Sequence, residues 1–257
     1  MHRFYIHPTF RQGEVITFPT EIAHQLHRVL RMRPHETVIA FDGSGVDYVV
    51  RLAVVERGEA LGQIIGERPG RSEPPVAITL YQSLLKRDNF EWALAKCTEV
   101  GVAKIVPIIS QRTIRHERSE EGRREKQQEH RHERWRRVIV EAVEQCERSV
   151  VPTLSETIPF EKAIQGGQGE EHYNVRLLCY ESEEKITLKT VLAAYHRQRA
   201  QATPKIAIII GPEGGFTEEE VRAARDAGWQ SVSLGGQILR AETAGVVAAA
   251  CILYEWR

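Results

Sequence analysis

Residues 206–221, IAIIIGPEGGFTEEEV, constrain the fold of this chain more than any other stretch. The apolar run IAIII reads as a strand buried on both faces, which belongs in a parallel sheet. GPEGG then turns the backbone sharply, because glycine carries no β-carbon and lets a ligand approach the main chain. Thr217 followed by Glu220 is a capping box and starts a helix. A glycine turn at a helix start usually holds phosphate on backbone amides. Here Glu213 stands where the anion would go, so a neutral or cationic ligand fits better. The phosphate-loop pattern GxxxxGK[ST] and the dinucleotide pattern GxGxxG are both missing.

A second loop, SLGGQILRAETAG at 233–245, has the same character. Glycines end a strand, and AET opens a helix. That helix, AGVVAAACILY, is apolar nearly all round and requires cover on more than one side. The core of a monomer and a partner subunit are equally good covers. The apolar runs VAITLYQ, KIVPII, VRLLCY, KIAIII and SVSL alternate with helical segments at 88–100, 135–146 and 187–199, from Thr217 and from Ala241. This alternation predicts a parallel sheet covered on both faces. Two glycine loops after neighbouring strands make one cleft at the carboxyl edge of the sheet, where α/β proteins bind ligands. The residues by themselves predict a small ligand held on backbone groups, with Glu213, Arg240 and Glu242 nearby.

Before residue 70 the pattern differs. VIAFDGSGVDYVVRLAVVERGEALGQIIGE holds short β-rich runs broken by DGSG and ERGE, which suits a small barrel or sandwich. One helix over 19–32 interrupts it, with Ile22, Leu26 and Val29 on one side and His24, His27, Arg28 and Arg31 on the other. That polar face is either simply solvated or a phosphate-contacting surface. RPGRSEPP at 68–75 breaks helix and strand and marks a domain boundary. The segment 111–137 carries ten Lys/Arg against six Glu, with three His. It reads as a solvated helix or loop, or as a hold on RNA backbone.

Lys+Arg and Asp+Glu balance at 35 each, so any nucleic-acid surface has to be a local patch. Cys97, Cys146, Cys179 and Cys251 lie far apart without metal-ligand spacing and read as reduced packing thiols. No metal is expected. No apolar run approaches the ~18 residues of a membrane span, and the N-terminus is not a signal peptide. The expectation is a soluble, cytoplasmic protein.

At the two glycine loops the chain resembles a known family. IIIGPEGGFTEEE and SLGGQILRAETA are similar to the signature loops of the bacterial 16S ribosomal RNA uridine-N(3) methyltransferases, of the SPOUT class. HQLHRVLRMRP resembles the motif of their N-terminal PUA-like domain, KCTEVGVAKIVPIIS their KATELGV segment, and RWRRVIVEAVEQCERSVVP their EAAEQSxR segment, so the resemblance spans the chain. One departure is Gly236-Gln237, where the family commonly has Pro-Arg; any role of an arginine at position 237 is lost or taken elsewhere.

The resemblance implies an α/β fold, with a SPOUT trefoil-knot methyltransferase domain over 76–257 after a PUA-like β-barrel RNA-binding domain over 1–70. Connectivity rules by themselves predict an unknotted sheet. It also implies S-adenosyl-L-methionine as cofactor, 16S ribosomal RNA or the small ribosomal subunit as partner, and a homodimer packed through the knotted regions. Carried over residue by residue, the cofactor site falls on 178–181, 211–215 and 233–241, with contacts at Leu178, Tyr180 and Glu181, at Gly211, Pro212, Glu213 and Gly215, and at Ser233, Leu234, Gly235, Ile238, Leu239, Arg240, Ala241 and Thr243. RNA contacts fall on His24, Arg28, Arg31, Arg33 and Arg148. An acid in GPEGG then suits a sulfonium cation.

Methyl transfer from a sulfonium is an in-line displacement that needs orientation above all. N(3) of uracil must lose a proton, which calls for a base or for stabilisation of the anion. Arg240 is the expected stabiliser of the uridine or its phosphate, the alternative being a structural ion pair with Glu242 or Glu213. Glu242 or Glu213 is the expected proton handler. The target base has to be unpaired or flipped out. Two other readings stay open. A ribose 2′-O-methyltransferase of the same class would form a different nucleoside. A non-catalytic ribosome-binding module would be indifferent to Arg240→Ala.

Overall fold

The computed structural model describes residues 1–86, 88–113, 121–166, 172–198 and 204–256. They form two compact units: Met1–Glu73 with Val143–Val151, and Pro74–Ala142 with Pro152–Arg257.

In the first unit β1 (Arg3–Tyr5), β2 (Arg11–Gln12), β3 (Val15–Thr17), β4 (Thr37–Phe41), β5 (Val46–Glu56) and β6 (Glu59–Pro69) make one sheet in the order β1-β4-β5-β6-β3-β2. Only the β1–β4 pair is parallel. Register shifts at Val49/Val50 and Leu52/Val54 bend the long β5–β6 ribbon. The sheet curls round a core that includes Phe4, Ile16, Phe18, Leu26 and Leu52. The expected barrel therefore takes the form of a curled half-barrel, with β1 and β2 at its two edges.

The short α1 (Thr20–His24) runs into a π turn at Gln25–Val29, where the Leu30 N–H donates to the Gln25 carbonyl at 2.9 Å. The wider turn shifts the helical phase. Leu26 stays buried, but Val29 is 67% exposed, not on the apolar side that a regular helix predicts. Arg31, at φ +53°, ends the helix. Residues 143–151 join this unit through a buried polar cluster. Arg3 donates to both oxygens of Asp47 at 2.6 and 2.8 Å, and to Ser149 Oγ at 2.7 Å. Ser149 Oγ in turn donates to Asp47 at 2.7 Å.

In the second unit β7 (Ala77–Ser83), β8 (Lys104–Ile109), β9 (Thr153–Leu154), β10 (Ile158–Pro159), β11 (Val175–Cys179), β12 (Lys205–Ile210) and β13 (Gln230–Val232) form an all-parallel sheet. Its order is β10-β8-β7-β12-β11-β13, with β9 also on β8. The helices are α2 (Asp88–Val100), α3 (Glu121–Cys146, whose residues from Val143 on belong to the first unit), α4 (Phe160–Ile164), α5 (Leu188–Gln198), α6 (Glu218–Asp226) and α7 (Ala241–Glu255). The central β12 shows why its run is continuously apolar. Ala207 and Ile209 face a core built with α4 and α6, while Ile206, Ile208 and Ile210 alternate to the face where α7 packs. Each buried isoleucine contributes roughly 2 kcal/mol.

Two features position the site. Residues 232–233, at the end of β13, are flanked on both sides by the ends of one loop. The Tyr180 N–H donates to the Val232 carbonyl at 3.0 Å on one side; the Ser233 N–H donates to the Ile186 carbonyl at 2.8 Å on the other. From that edge position the chain returns to lay α7 against β12, β7 and α2. Gly245 permits the close approach, since a β-carbon there would stand 3.0 Å from Gln82 Oε1 and 3.5 Å from Cys97 Sγ.

Candidate functional site

A cavity of about 590 Å³ opens at the carboxyl ends of β11, β12 and β13, a volume typical of small-molecule sites. Its walls are residues 179–181, 210–215 and 233–242, with Asn89 and Ala244. Three loops from adjacent strands thus meet, as the sequence predicts. Tyr180, Glu181, Gly211, Pro212, Glu213, Gly215, Ser233, Leu234, Gly235, Ile238, Leu239, Arg240, Ala241 and Glu242 all line it. Leu178 and Thr243 do not. Leu178 lies inside β11 and alternates into the core, 1% exposed. Thr243 sits in the first turn of α7, where its N–H donates to the Arg240 carbonyl at 2.9 Å.

Two glycines of the GPEGG loop stand in close quarters. A β-carbon on Gly211 would meet the Phe216 ring at 3.1 Å. Gly215 has φ +67°, and a β-carbon on it would lie 2.1 Å from Glu181 Oε1. The GPEGG loop is braced from outside. Glu213 Oε1 accepts the backbone N–H of Lys86 at 2.9 Å, and Arg112 donates to the Gly214 carbonyl at 2.9 Å. The capping box forms as expected: Thr217 Oγ1 accepts from the Glu220 N–H at 3.2 Å and Glu220 Oε2 from the Thr217 N–H at 2.9 Å. Glu220 Oε1 also accepts from the Gln111 N–H at 2.7 Å, which anchors the start of α6 to the chain after β8.

The charged groups differ in surroundings. Arg240 caps α7 with an extended backbone and is exposed; among the described residues its guanidinium forms no ion pair, so the structural pairing with Glu242 or Glu213 does not occur. Glu242 is only 8% exposed and lies on the cavity wall. Glu213, by contrast, is exposed and spends one oxygen on the Lys86 amide.

His24, Arg28, Arg31 and Arg33 are all exposed on the first unit. Arg148 is a correction to the sequence reading. Its side chain is 9% exposed and its guanidinium engages Glu73, with Nε donating to Oε1 at 3.1 Å. Burial and pairing spend that cation inside the first unit, so it does not reach out to RNA. Of the basic segment 111–137, residues 111–113 follow β8 and residues 114–120 lie outside the described residues; 121–137 are on α3, where Arg134 pairs with Glu91 at 2.7 Å and Arg131 stacks on Trp135.

Asn89, Ile210 and Ala244 also line the cavity and lie outside the predicted segments. Asn89 comes from the start of α2, far in the chain from the loops it joins, and no local pattern marks it. Cys179 is a wall residue whose thiol burial pushes up to about 12, so it stays protonated at neutral pH. Cys97 is buried as expected, whereas Cys251 is exposed on α7. Among the described residues no group of three or more His, Cys, Asp or Glu could hold a metal ion, and no helix is long and apolar enough to cross a membrane.

Residues 72–253 match the RNA methyltransferase domain family. The chain is 32% identical over 251 residues to the ribosomal RNA small subunit methyltransferase E of Synechocystis, covering 98% of this chain and 77% of that one. It is 29% identical to the protein of the same name from Aquifex aeolicus, with full coverage of both. The crystal structure of the Neisseria gonorrhoeae ribosomal RNA small subunit methyltransferase E bound to S-adenosyl methionine superposes with a TM-score of 0.83 at 32% identity, covering 100% of this chain and 98% of that one.

Proposed function

We infer that this chain, which belongs to the ribosomal RNA small subunit methyltransferase E family of RNA methyltransferases, transfers a methyl group from S-adenosylmethionine to N(3) of a uridine in 16S ribosomal RNA. The observation that carries the reading is the cavity where three loops, two of them glycine-bearing, meet at the carboxyl edge of the parallel sheet.

The residues present fit that cofactor. Gly211 and Gly215 leave the main chain bare where a β-carbon would collide, so backbone N–H and C=O groups can face the adenine and the amino-acid part. Glu181, Glu213 and Glu242 give the wall the negative sign that a sulfonium favours and a polyphosphate does not. When bound, the cofactor supplies an electrophilic methyl carbon. The protein's part is orientation, charge and proton handling. Arg240 offers a cation without an ion-pair partner among the described residues and suits the anion that forms when N(3) of uracil loses its proton, or the adjoining phosphate. Glu242 is the better proton acceptor, because Glu213 braces the loop through Lys86.

Beyond the single chain, α7 carries Gly245, Ala248, Ala249, Ile252 and Leu253 on its buried side, and Ala250, Cys251 and Tyr254 are exposed, Tyr254 by 79%. That exposed, largely apolar outer side is the face on which a second copy of this chain would pack in the proposed homodimer. The flanking of residues 232–233 by one loop, followed by the return of the chain to α7, supports a trefoil-knotted topology. The small ribosomal subunit is the proposed partner, the exposed His24, Arg28, Arg31 and Arg33 its proposed contacts in the first unit, and the cytoplasm the proposed location.

The test uses the full chain, isotopically labelled S-adenosylmethionine and small ribosomal subunits lacking the modification, with nucleosides identified by mass spectrometry. Label in 3-methyluridine is expected. Label in a 2′-O-methyl nucleoside would keep the fold and overturn the chemistry.

A further inference from the structure

One carboxylate outside the cavity wall joins the elements that carry all three cavity loops. Glu183 lies in the loop that follows β11. Its Oε1 accepts the backbone N–H groups of Lys185 at 3.1 Å and Ile186 at 3.3 Å, which closes its own loop. Its Oε2 accepts the hydroxyl of Ser231, on β13, at 2.6 Å and the guanidinium of Arg225, on α6, at 3.1 Å. Arg225 completes the triangle, donating to Ser231 Oγ from Nε at 3.2 Å and Nη2 at 2.8 Å.

Each partner leads directly to the site. Tyr180 and Glu181, on the same loop as Glu183, line the cavity. Ser231 precedes Ser233, where the third cavity loop begins. Arg225 is in the last turn of α6, about two turns along the helix from the capped start that follows the GPEGG turn. Ile186, held by Oε1, is also the residue whose carbonyl receives the Ser233 N–H. A surface ion pair of Arg225 with Glu183 would contribute only ~0–1 kcal/mol. The arrangement here is different, because the carboxylate has four donors on three elements and its side chain is 9% exposed. Without it, two loop N–H groups lose their acceptor and the loops lose their common tether. Binding sites tolerate a displacement of only about 0.5 Å.

We propose that Glu183 is the positioning residue of the cofactor site, fixing the three loops in one arrangement before the ligand arrives and so setting cofactor affinity without touching it. The proposal rests on the reading of the cavity as the S-adenosylmethionine site.

The test compares wild type, Glu183→Ala, Glu183→Gln and Ser231→Ala as full chains. Binding of S-adenosylmethionine is measured by calorimetry, Tm by scanning, and steady-state methylation on small ribosomal subunits. Glu183→Ala is expected to raise the cofactor Kd about 10-fold, equivalent to ~1.4 kcal/mol, with kcat at saturating cofactor and the KM for ribosomal subunits close to wild type. Glu183→Gln keeps acceptor oxygen for the loop amides and is expected to recover part of the affinity. Ser231→Ala removes one arm and should raise Kd less. An unchanged Kd in folded Glu183→Ala overturns the proposal. So does a parallel fall of kcat, subunit binding and Tm, which marks a merely structural role. If Glu183→Ala does not fold, an unchanged Kd in Ser231→Ala overturns it instead. Failure of the wild type to bind S-adenosylmethionine would sink the cavity reading and this proposal together, whereas wild-type binding with unaffected variants would sink this proposal alone.

Discussion

The carboxylate of Glu181 lies against Gly215 so closely that a β-carbon on that glycine would stand 2.1 Å from Oε1. Two loops from adjacent strands therefore meet here, and Gly215 holds φ at +67°, a conformation that favours glycine. Gly215→Ala is expected to cost about 1–2 kcal/mol in backbone strain and to push Glu181 aside. Calorimetric titration should show S-adenosylmethionine affinity falling by roughly tenfold, with a small drop in Tm. Unchanged affinity would mean that Glu181 and Gly215 do not border the cofactor.

Arg240 is exposed at the cap of α7 and forms no ion pair among the described residues. Arg240→Ala should then leave stability within about 0.5 kcal/mol of wild type. Its expected cost is in kcat, about 10²-fold or more, as for loss of a group that stabilises a developing anion. Steady-state methylation of ribosomal subunits beside urea unfolding separates the two effects. Full activity in the variant would remove Arg240 from the reaction.

Asp47 is 3% exposed and receives Arg3 through both oxygens. Asp47→Ala leaves Arg3 buried without its carboxylate and should destabilise the first unit by about 3–5 kcal/mol. The pH dependence has a definite sign. Burial raises the Asp47 carboxyl, but hydrogen bonds from Arg3 and Ser149 and the charges of Arg3 and Arg68 outweigh it and hold the group below 3.8. A depressed folded value gives stability that is present above the unfolded value and lost as pH falls through the folded one. Urea titrations should show a wild-type advantage over Asp47→Asn at pH 7 that narrows below about pH 4.

Tyr254 is 79% exposed on a helix that is apolar nearly all round. Tyr254→Glu puts a charge on the proposed face between two copies. Light scattering after gel filtration should show wild type as a dimer and the variant shifted to monomer, with the far-ultraviolet circular dichroism unchanged. A wild-type monomer at micromolar concentration would remove the dimer from the reading.

Much of the second unit was legible because its signals are local. IAIII alternates between two covered faces, so every position is apolar, and β12 lies centrally in the sheet. The Thr217–Glu220 capping box places the start of α6 without tertiary information. The first unit was harder to read. A π turn at Gln25–Val29 breaks the helical period, so a wheel built on 3.6 residues puts Val29 on the wrong side. Arg148 is captured by Glu73, far away in the chain.

By itself, then, the sequence determined the βα alternation, the two glycine loops and the acids and arginine set among them, because periodicity, capping and turn chemistry act over a few residues. Only the tertiary structure decided which of those groups share a wall. Asn89 joins the cavity through the order of the strands, and Glu183 reaches Ser231 and Arg225 only because β11, β13 and α6 end at one edge. Packing likewise decided that Arg148 is spent on Glu73 while Arg240 is not spent on either acid. A buried cation must find a carboxylate, whereas an exposed one need not, and burial is a property of the folded chain as a whole.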